Sequence, residues 1–484
     1  MKNVGTRRRK VRLETVRFVG FGVAGIFVAI TAIGIASSPR LGALLCGAGV
    51  VVFVVLARPR YALGGLIFIR TLTESSYVPE GFGWYLNVAI SALAVVLLLR
   101  LTLTGSVRLG RIAIASAAFG LGTGAIAVAA WGFDTGVLGD SLRLASVVLV
   151  AICASEVVRR EGSRAVLSTT VVAVVPSAAL AFFGWLGKVP GLYSPGTGRG
   201  YGTLTHPVAA AGLFSVAFVL ALFLVLVERR RRHWYSLGLI GLGLVSTVSL
   251  GGLATLAVGV GVLLVGISGV KGRGATVALL TVLVFGGAAL FGSSLGARLA
   301  DLQNTQSYAD AAQGASGNSL DWRFRNWNAL LDIWQERPIQ GWGWGATSAY
   351  LRPLGELPHS SPVRILVEGG AIGFAMAAFI LVAAVVVAVR QLATASRNYG
   401  VLRMALVCAL VTNSLSSNTT DYIPMLMVFV VGWACGEDNA GAAKAGEPRS
   451  PSRVRVERRL KFDPRDQVGP LTPNEHGSRS RREI

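Results

Sequence analysis

The chain has 484 residues, of which 53% are hydrophobic and only 14% charged, and its mean hydropathy is +0.60. A soluble protein carries about a quarter charged residues, so lipid is the solvent for most of this chain. Its 46 Lys and Arg against 24 Asp and Glu leave a formal charge of +22, which in a membrane protein reads as bases gathered on the cytoplasmic side rather than as a nucleic-acid footprint.

Apolar runs of about 17–25 residues recur along the chain, the length that crosses a bilayer core as a helix. They do not alternate in polarity, which excludes barrel strands and leaves helices, the other structure that satisfies its own backbone in lipid. The basic start at Arg7, Arg8, Arg9, Lys10 and Arg12 precedes a run from Phe18 to about Ala36 that is too long for a signal peptide and is read as a retained span. A second span, Leu41–Ala57, returns to Arg58-Pro59-Arg60, and a shorter piece, Tyr61–Leu72, leads to a polar stretch with Pro79. Spans are then expected near Leu86–Leu103, Ile112–Trp131, Leu142–Val158 and Ala165–Leu186. A Gly-rich loop, 187–205, precedes His206-Pro207 and a span that ends at Arg229-Arg230-Arg231-Arg232. Tyr235–Leu250, Leu253–Val270 and Ala275–Leu290 follow, then a polar excursion over 295–361. Pro362–Val389 re-enters the membrane, and two last spans flank Asn418-Thr419-Thr420-Asp421.

Joints rich in Arg alternate with poorer ones, which places both termini in the cytoplasm and the 187–205 and 295–361 loops outside the cytoplasmic membrane. The expected fold is an all-α polytopic bundle of about 12–14 transmembrane helices, with one large extracytoplasmic loop that contains an amphipathic helix. The expected segments are a basic N-terminus (1–17), spans with the first loop (18–294), the large loop (295–361), the last spans (362–436) and a disordered cytoplasmic tail (437–484). Cys46, Cys153, Cys408 and Cys435 fall in or beside apolar spans and form neither a CxxC motif nor a disulfide framework.

Within the large loop, Trp327, Leu330, Leu331 and Trp334 follow i, i+3, i+4, i+7 spacing, with Phe324 one turn earlier. That is one stripe of an amphipathic helix, expected to lie at the membrane interface with its indoles at headgroup depth. Arg323 shares the stripe, four residues before Trp327, whereas Arg325 lies about 200° away and is expected to face solvent or another loop. Pro338 stops the helix. Trp342 and Trp344 alternate with Gly341, Gly343 and Gly345, and their flat rings suit both sugar faces and structural anchoring. His359 stands at the membrane edge, where an imidazole with an ordinary pKa of about 6.5 is able to take a proton from a hydroxyl. Arg364 and Glu368 are four apart and are expected to pair. Arg199 sits among glycines that allow close backbone approach, and arginine forks suit a pyrophosphate. The loops hold no Asp-x-Asp pair and no His/Cys cluster with metal-ligand spacing, so no metal or cofactor is expected.

Three motifs together resemble the O-antigen ligase and polymerase family. They are Arg323-x3-Trp327 with Glu336-Arg337-Pro338-x2-Gly341-x-Gly343-x-Gly345, then His359 followed by Glu368-Gly369-x2-Ile372-Gly373, and upstream Arg199-x2-Gly202-x3-His206-Pro207. Two positions depart from the family pattern: Ser360 stands where Asn usually follows the histidine, and Leu250 stands within the usual Ser-Arg-Gly. The resemblance implies a GT-C-like membrane glycosyltransferase. It implies transfer of a glycan from an undecaprenyl-pyrophosphate carrier to an acceptor hydroxyl outside the membrane, without a metal. It implies Arg323 and His359 as catalytic residues, and substrate contacts at Arg199, Arg325, His206, Trp342 and Trp344. The implied partners are the donor, a glycan or glycolipid acceptor, the bilayer, and a flippase and chain-length regulator. The alternative, a transporter of a small solute or glycan intermediate, needs ionisable residues at mid-membrane, and the span centres carry almost none.

Overall fold

The computed structural model describes residues 49–74, 82–105, 107, 111–228, 230–267, 319–355, 357–394 and 396–436. All of them lie in one compact unit, Met1–Ala443, and the second unit, Lys444–Ile484, lies outside them. The expected spans at 18–36 and 275–290, the first part of the large loop and the tail from 437 also lie outside the described residues.

The described chain is almost wholly helical. In order it forms α1 (Pro59–Thr73), α2 (Phe82–Leu103), α3 (Arg111–Trp131), α4 (Thr135–Glu161) and α5 (Ser163–Leu186). A two-stranded hairpin follows, β1 (Tyr193–Ser194) with β2 (Arg199–Gly200), paired antiparallel with Ser194 opposite Arg199. Then come α6 (Pro207–Glu228), α7 (Arg231–Ser246), α8 (Leu250–Gly266), α9 (Ser319–Gln335) and the single turn α10 (Ala346–Ala349). The last elements are α11 (Ser361–Leu392), α12 (Arg397–Ser416), a 3-10 turn (Thr419–Asp421) and α13 (Ile423–Ala434).

The centre of the bundle is α6. A helix that is apolar on every face has no preferred solvent side and is buried all round. From Pro207 through Leu226 every residue of α6 is buried, and α5, α7, α8, α12 and α13 pack against it. Outside that ring, α1 packs on α5, α2 and α3 on α4, and α11 on α12 and α3. The outer faces carry exposed Leu99, Leu121, Val172, Phe183, Val265 and Phe379. Apolar side chains spread this widely over a surface need lipid around them. Among the described residues, six helical stretches are long and apolar enough to span it: Tyr85–Leu103, Gly139–Glu161, Ser163–Leu186, Pro207–Glu228, Ser361–Leu392 and Arg397–Ser416. The protein is a polytopic all-α membrane protein.

α4 starts at Thr135 and runs to Glu161, beyond the apolar run at both ends. The charges that mark those ends are paired in place, Asp140 with Arg364 at 2.9 Å and Glu156 with Arg159 and Arg160 at 2.5 Å. Hydropathy alone reads such residues as loop. Successive helices run in opposite directions, so the joints gather at two ends. One end is basic: Arg60 meets Glu161, Arg160 bonds the Thr104 hydroxyl, and Arg403 bonds the Gln391 amide. The other end holds the hairpin, α9 and His359.

Candidate functional site

At the second end, α11 is broken. Gly370 has φ 61° and ψ −165°, which interrupts the helix two residues after Glu368. The segment after α9 fills the gap: Ala371 N–H donates to the Pro338 carbonyl (2.8 Å) and Ile372 N–H to that of Ile339 (3.2 Å). In return Trp342 and Gly343 donate to the carbonyls of Val367 (3.0 Å) and Glu368 (2.7 Å). Only glycine fits where this strap crosses the break, since a Cβ on Gly341 would lie 2.4 Å from Gly370 N and one on Gly370 2.2 Å from the Ile339 carbonyl.

Beneath the strap is a buried charge cluster. Arg364 is fully buried and donates to Glu368 (3.0 Å), Asp140 (2.9 Å), the Ser348 hydroxyl (3.0 Å) and Asp421. Thr347 donates to the other Glu368 oxygen from its N–H (3.0 Å) and hydroxyl (2.6 Å). Arg143 continues the cluster, bonding Glu74, Asp140 and the Asp421 carbonyl. Buried charges persist only when paired in this way. The expected Arg364–Glu368 pair therefore forms, as two members of a larger network.

Trp344 is 2% exposed, with Phe119 edge-on at 5.7 Å and the Arg364 guanidinium 5.3 Å above its ring. Trp342 stacks near Trp131 (5.9 Å), lies under Arg337 (4.1 Å) and donates from its indole to the Ile333 carbonyl. Both indoles make protein contacts, on the anchoring side of the two uses their rings allow.

Part of the α9 stripe packs onto the protein. Leu330 is fully buried, and the Trp327 indole donates to the Pro358 carbonyl (2.5 Å). Buried Asn326 donates to the Leu357 carbonyl (3.3 Å). Hydrogen bonds to adjacent carbonyls fix the loop that presents His359, and this polar demand is what pulls the stripe onto the protein. The next residues are tied to the loop before α13: Ser360 N–H donates to Asn418 Oδ1 (3.1 Å), Ser361 N–H to the Ser417 carbonyl (3.1 Å), and Thr419 N–H to Ser361 Oγ (2.8 Å). His359 itself has φ 52°, in the left-handed region.

His359 Nδ1 is shut off from solvent and accepts no hydrogen bond. Burial pushes the imidazole down from 6.5 to about 4, helped by the charge of Arg323 and by His206. The ring is therefore neutral near pH 7, with a lone pair to offer. The His206 ring centroid is 6.4 Å away and Trp322 approaches edge-on at 5.8 Å. His206 stands at the N-terminus of α6, where its Nδ1 accepts from Val208 N–H (3.1 Å), which places the proton of its neutral form on Nε2.

Arg323 donates to the Ser416 carbonyl (3.1 Å), at the end of α12. Arg199, 7% exposed, donates to the Thr247 carbonyl (2.6 Å) in the α7–α8 joint. Arg325 is half-buried on the far side of α9. Two cavities meet at Thr205 and His206. One, about 340 Å³, is lined by the hairpin with Tyr193, Arg199 and Tyr201. The other, about 600 Å³, is lined by His206, His359, Asn418, Tyr422, Arg352, Arg143 and the carboxylates of Glu74, Asp140 and Asp421.

The fold thus brings Arg199, His206, Arg323 and His359 to one place, and it adds residues that sequence reading passed over. Asn418, Asp421 and Tyr422 were visible only as a polar joint between two spans, and Glu74, Asp140 and Arg143 as span ends. Polar residues beside apolar runs were the available signal.

Residues 235–378 match the family model described as O-antigen ligase. No curated protein matches the chain. The matched stretch takes in the α7–α8 joint, α9, the strap, His359 and the broken part of α11, so the chain is O-antigen ligase-like there. The match supports a membrane enzyme of the ligase or polymerase kind.

Proposed function

We propose that this O-antigen ligase-like chain is a membrane glycosyltransferase. It moves a glycan from an undecaprenyl-pyrophosphate carrier to an acceptor hydroxyl on the outer side of the cytoplasmic membrane. One observation carries the reading: a neutral His359 with an unpartnered Nδ1 stands between Arg323 and His206, at the end of the central helix and beside a polar cavity.

In this reading Arg199 and Arg323 hold the pyrophosphate, and His359 and His206 face the reacting centre from the other side. The acceptor oxygen attacks the anomeric carbon as the bond from that carbon to the phosphate oxygen breaks. The electron pair leaves with the polyprenyl pyrophosphate, whose developing charge the arginines stabilise. The hydroxyl proton passes to the His359 imidazole. An imidazole at about 4 is a weak base in the empty site. A bound pyrophosphate offsets the Arg323 charge that helps hold it down, so the ring gains basicity when the donor is present. The carboxylates of Glu74, Asp140 and Asp421 along the larger cavity suit the hydroxyls of an acceptor sugar. Arg325, on the far side of α9, is a substrate contact away from the pyrophosphate in this proposal, and Trp342 and Trp344 support the site from beneath. A flippase and a chain-length regulator are the expected neighbours of a polymerase.

The test is surface glycan in cells that carry Arg323→Ala or His359→Ala. Both variants are expected to insert and accumulate normally and to lose the glycan product. Unchanged glycan in both would sink the reading.

A further inference from the structure

We infer that Tyr422 is a third ligand for the donor pyrophosphate, its phenol O–H donating to a phosphoryl oxygen between Arg199 and Arg323. The inference rests on the donor reading above and adds a residue to it.

Tyr422 is held at the start of α13 by its N–H to the Thr419 carbonyl (3.1 Å) and by its own carbonyl, which accepts from Leu426 N–H (3.0 Å). Its side chain lines the larger cavity together with His206 and His359. Arg323 donates to Ser416, at the head of the loop that ends in Tyr422. Arg199 and Arg323, on separate elements more than a hundred residues apart in sequence, both act electrostatically on this one phenol. The phenol thus lies within electrostatic reach of both arginines, and its cavity meets the hairpin cavity that Arg199 lines at Thr205 and His206.

A tyrosine suits that place chemically. Burial pushes its hydroxyl up to about 12, against the pull of Arg323, of a hydrogen bond from Ser417, of Arg199 and of the Asn418 backbone N–H, so the oxygen accepts within the loop while the O–H keeps its proton and remains a donor. A pyrophosphate diester carries one negative charge on each phosphoryl group, which two arginines balance. A neutral donor then adds a short charge-assisted hydrogen bond without a third cation to desolvate.

Tyr422→Phe removes only the oxygen and keeps the packing. The full-length protein in detergent is titrated with undecaprenyl pyrophosphate and, separately, with undecaprenol. The expected result is a roughly tenfold weaker Kd of the variant for the pyrophosphate, with the same Kd for the alcohol. Equal pyrophosphate affinity in wild type and variant overturns the inference while the donor reading stands. A loss of equal size for both lipids marks a hydroxyl that acts only through the fold and also overturns it. A wild-type protein that does not prefer the pyrophosphate over the alcohol removes the donor reading, and the inference with it.

Discussion

His359 is set by its neighbours more than by its own chemistry. Its depressed pKa belongs to a group buried in the neutral form and placed beside Arg323 and His206. The free enzyme should keep kcat/KM nearly constant as pH falls from 7 to 5 and lose it as pH approaches 4, because protonation then removes the acceptor lone pair. A loss centred near 6.5 in a pH profile would rule out this environment. Stability follows the same sign: the unfolded chain binds the proton more readily between about 6.5 and 4, so the His359 contribution is complete above 6.5 and is lost as pH falls through that window. Ser360 stands where the family pattern has Asn, yet an asparagine does reach this backbone, since Asn418 accepts from Ser360 N–H. Asn418→Ala leaves that buried N–H without a partner, at a cost of about 1–3 kcal/mol. A lower Tm in detergent together with reduced turnover is expected. Arg364 shows the opposite economy of residues: one guanidinium serves three carboxylates. Arg364→Met leaves buried carboxylates uncompensated, and a loss of about 3–5 kcal/mol is expected, read as failure to accumulate a monodisperse protein.

At the scale of elements, the break in α11 does the organising. A continuous helix from Ser361 to Leu392 would leave the strap without partners, and the strap is what seats Trp344 under Arg364 and Trp342 against α9. The break depends on one torsion, Gly370 at φ 61°. Gly370→Ala is expected to lower Tm and to open the 337–345 segment to protease. Gly369→Ala is the control: its Cβ would meet nothing within 4 Å, and alanine in a helix gains up to about 1 kcal/mol over glycine. Equal behaviour of the two variants would show that the strap does not depend on the break. The amphipathic helix α9 was legible from its spacing, but its destination was not. Spacing puts Trp327 on the stripe, and only the folded chain brings the carbonyls of Leu357 and Pro358 to the Asn326 amide and the Trp327 indole.

For the whole molecule, the bundle has a basic end and an end that carries the hairpin, α9 and His359, and bases gather on the cytoplasmic side of membrane proteins. The proposed sidedness is testable with single cysteines placed in a chain whose four native cysteines are replaced. Thr197→Cys and Pro353→Cys should react with a membrane-impermeant thiol reagent added to intact cells, and Arg232→Cys should react only after permeabilisation. The reverse pattern would invert the proposed topology and move the reaction to the cytoplasm. The transport alternative draws no support from the charge cluster, because Asp140, Arg143, Arg364 and Glu368 lie in the first turns of their helices and are engaged with one another.

By itself the sequence determined the solvent and the class. Apolar runs of membrane length admit helices only, and the all-apolar Pro207–Glu228 run has just one place to go, the centre. The arginines, the histidines and the glycine alternation were also readable, since each is a residue type chosen for a charge, a proton or a torsion. Which of them meet was decided by tertiary structure. Arg199, Arg323, His359 and Tyr422 come from four separate segments, and no periodicity links them. They converge because α6, α12 and α13 pack together and because buried backbone groups near His359 must find partners. The same need paired Asp140 with Arg364 across 224 residues and turned what hydropathy reads as the ends of spans into the floor of the site.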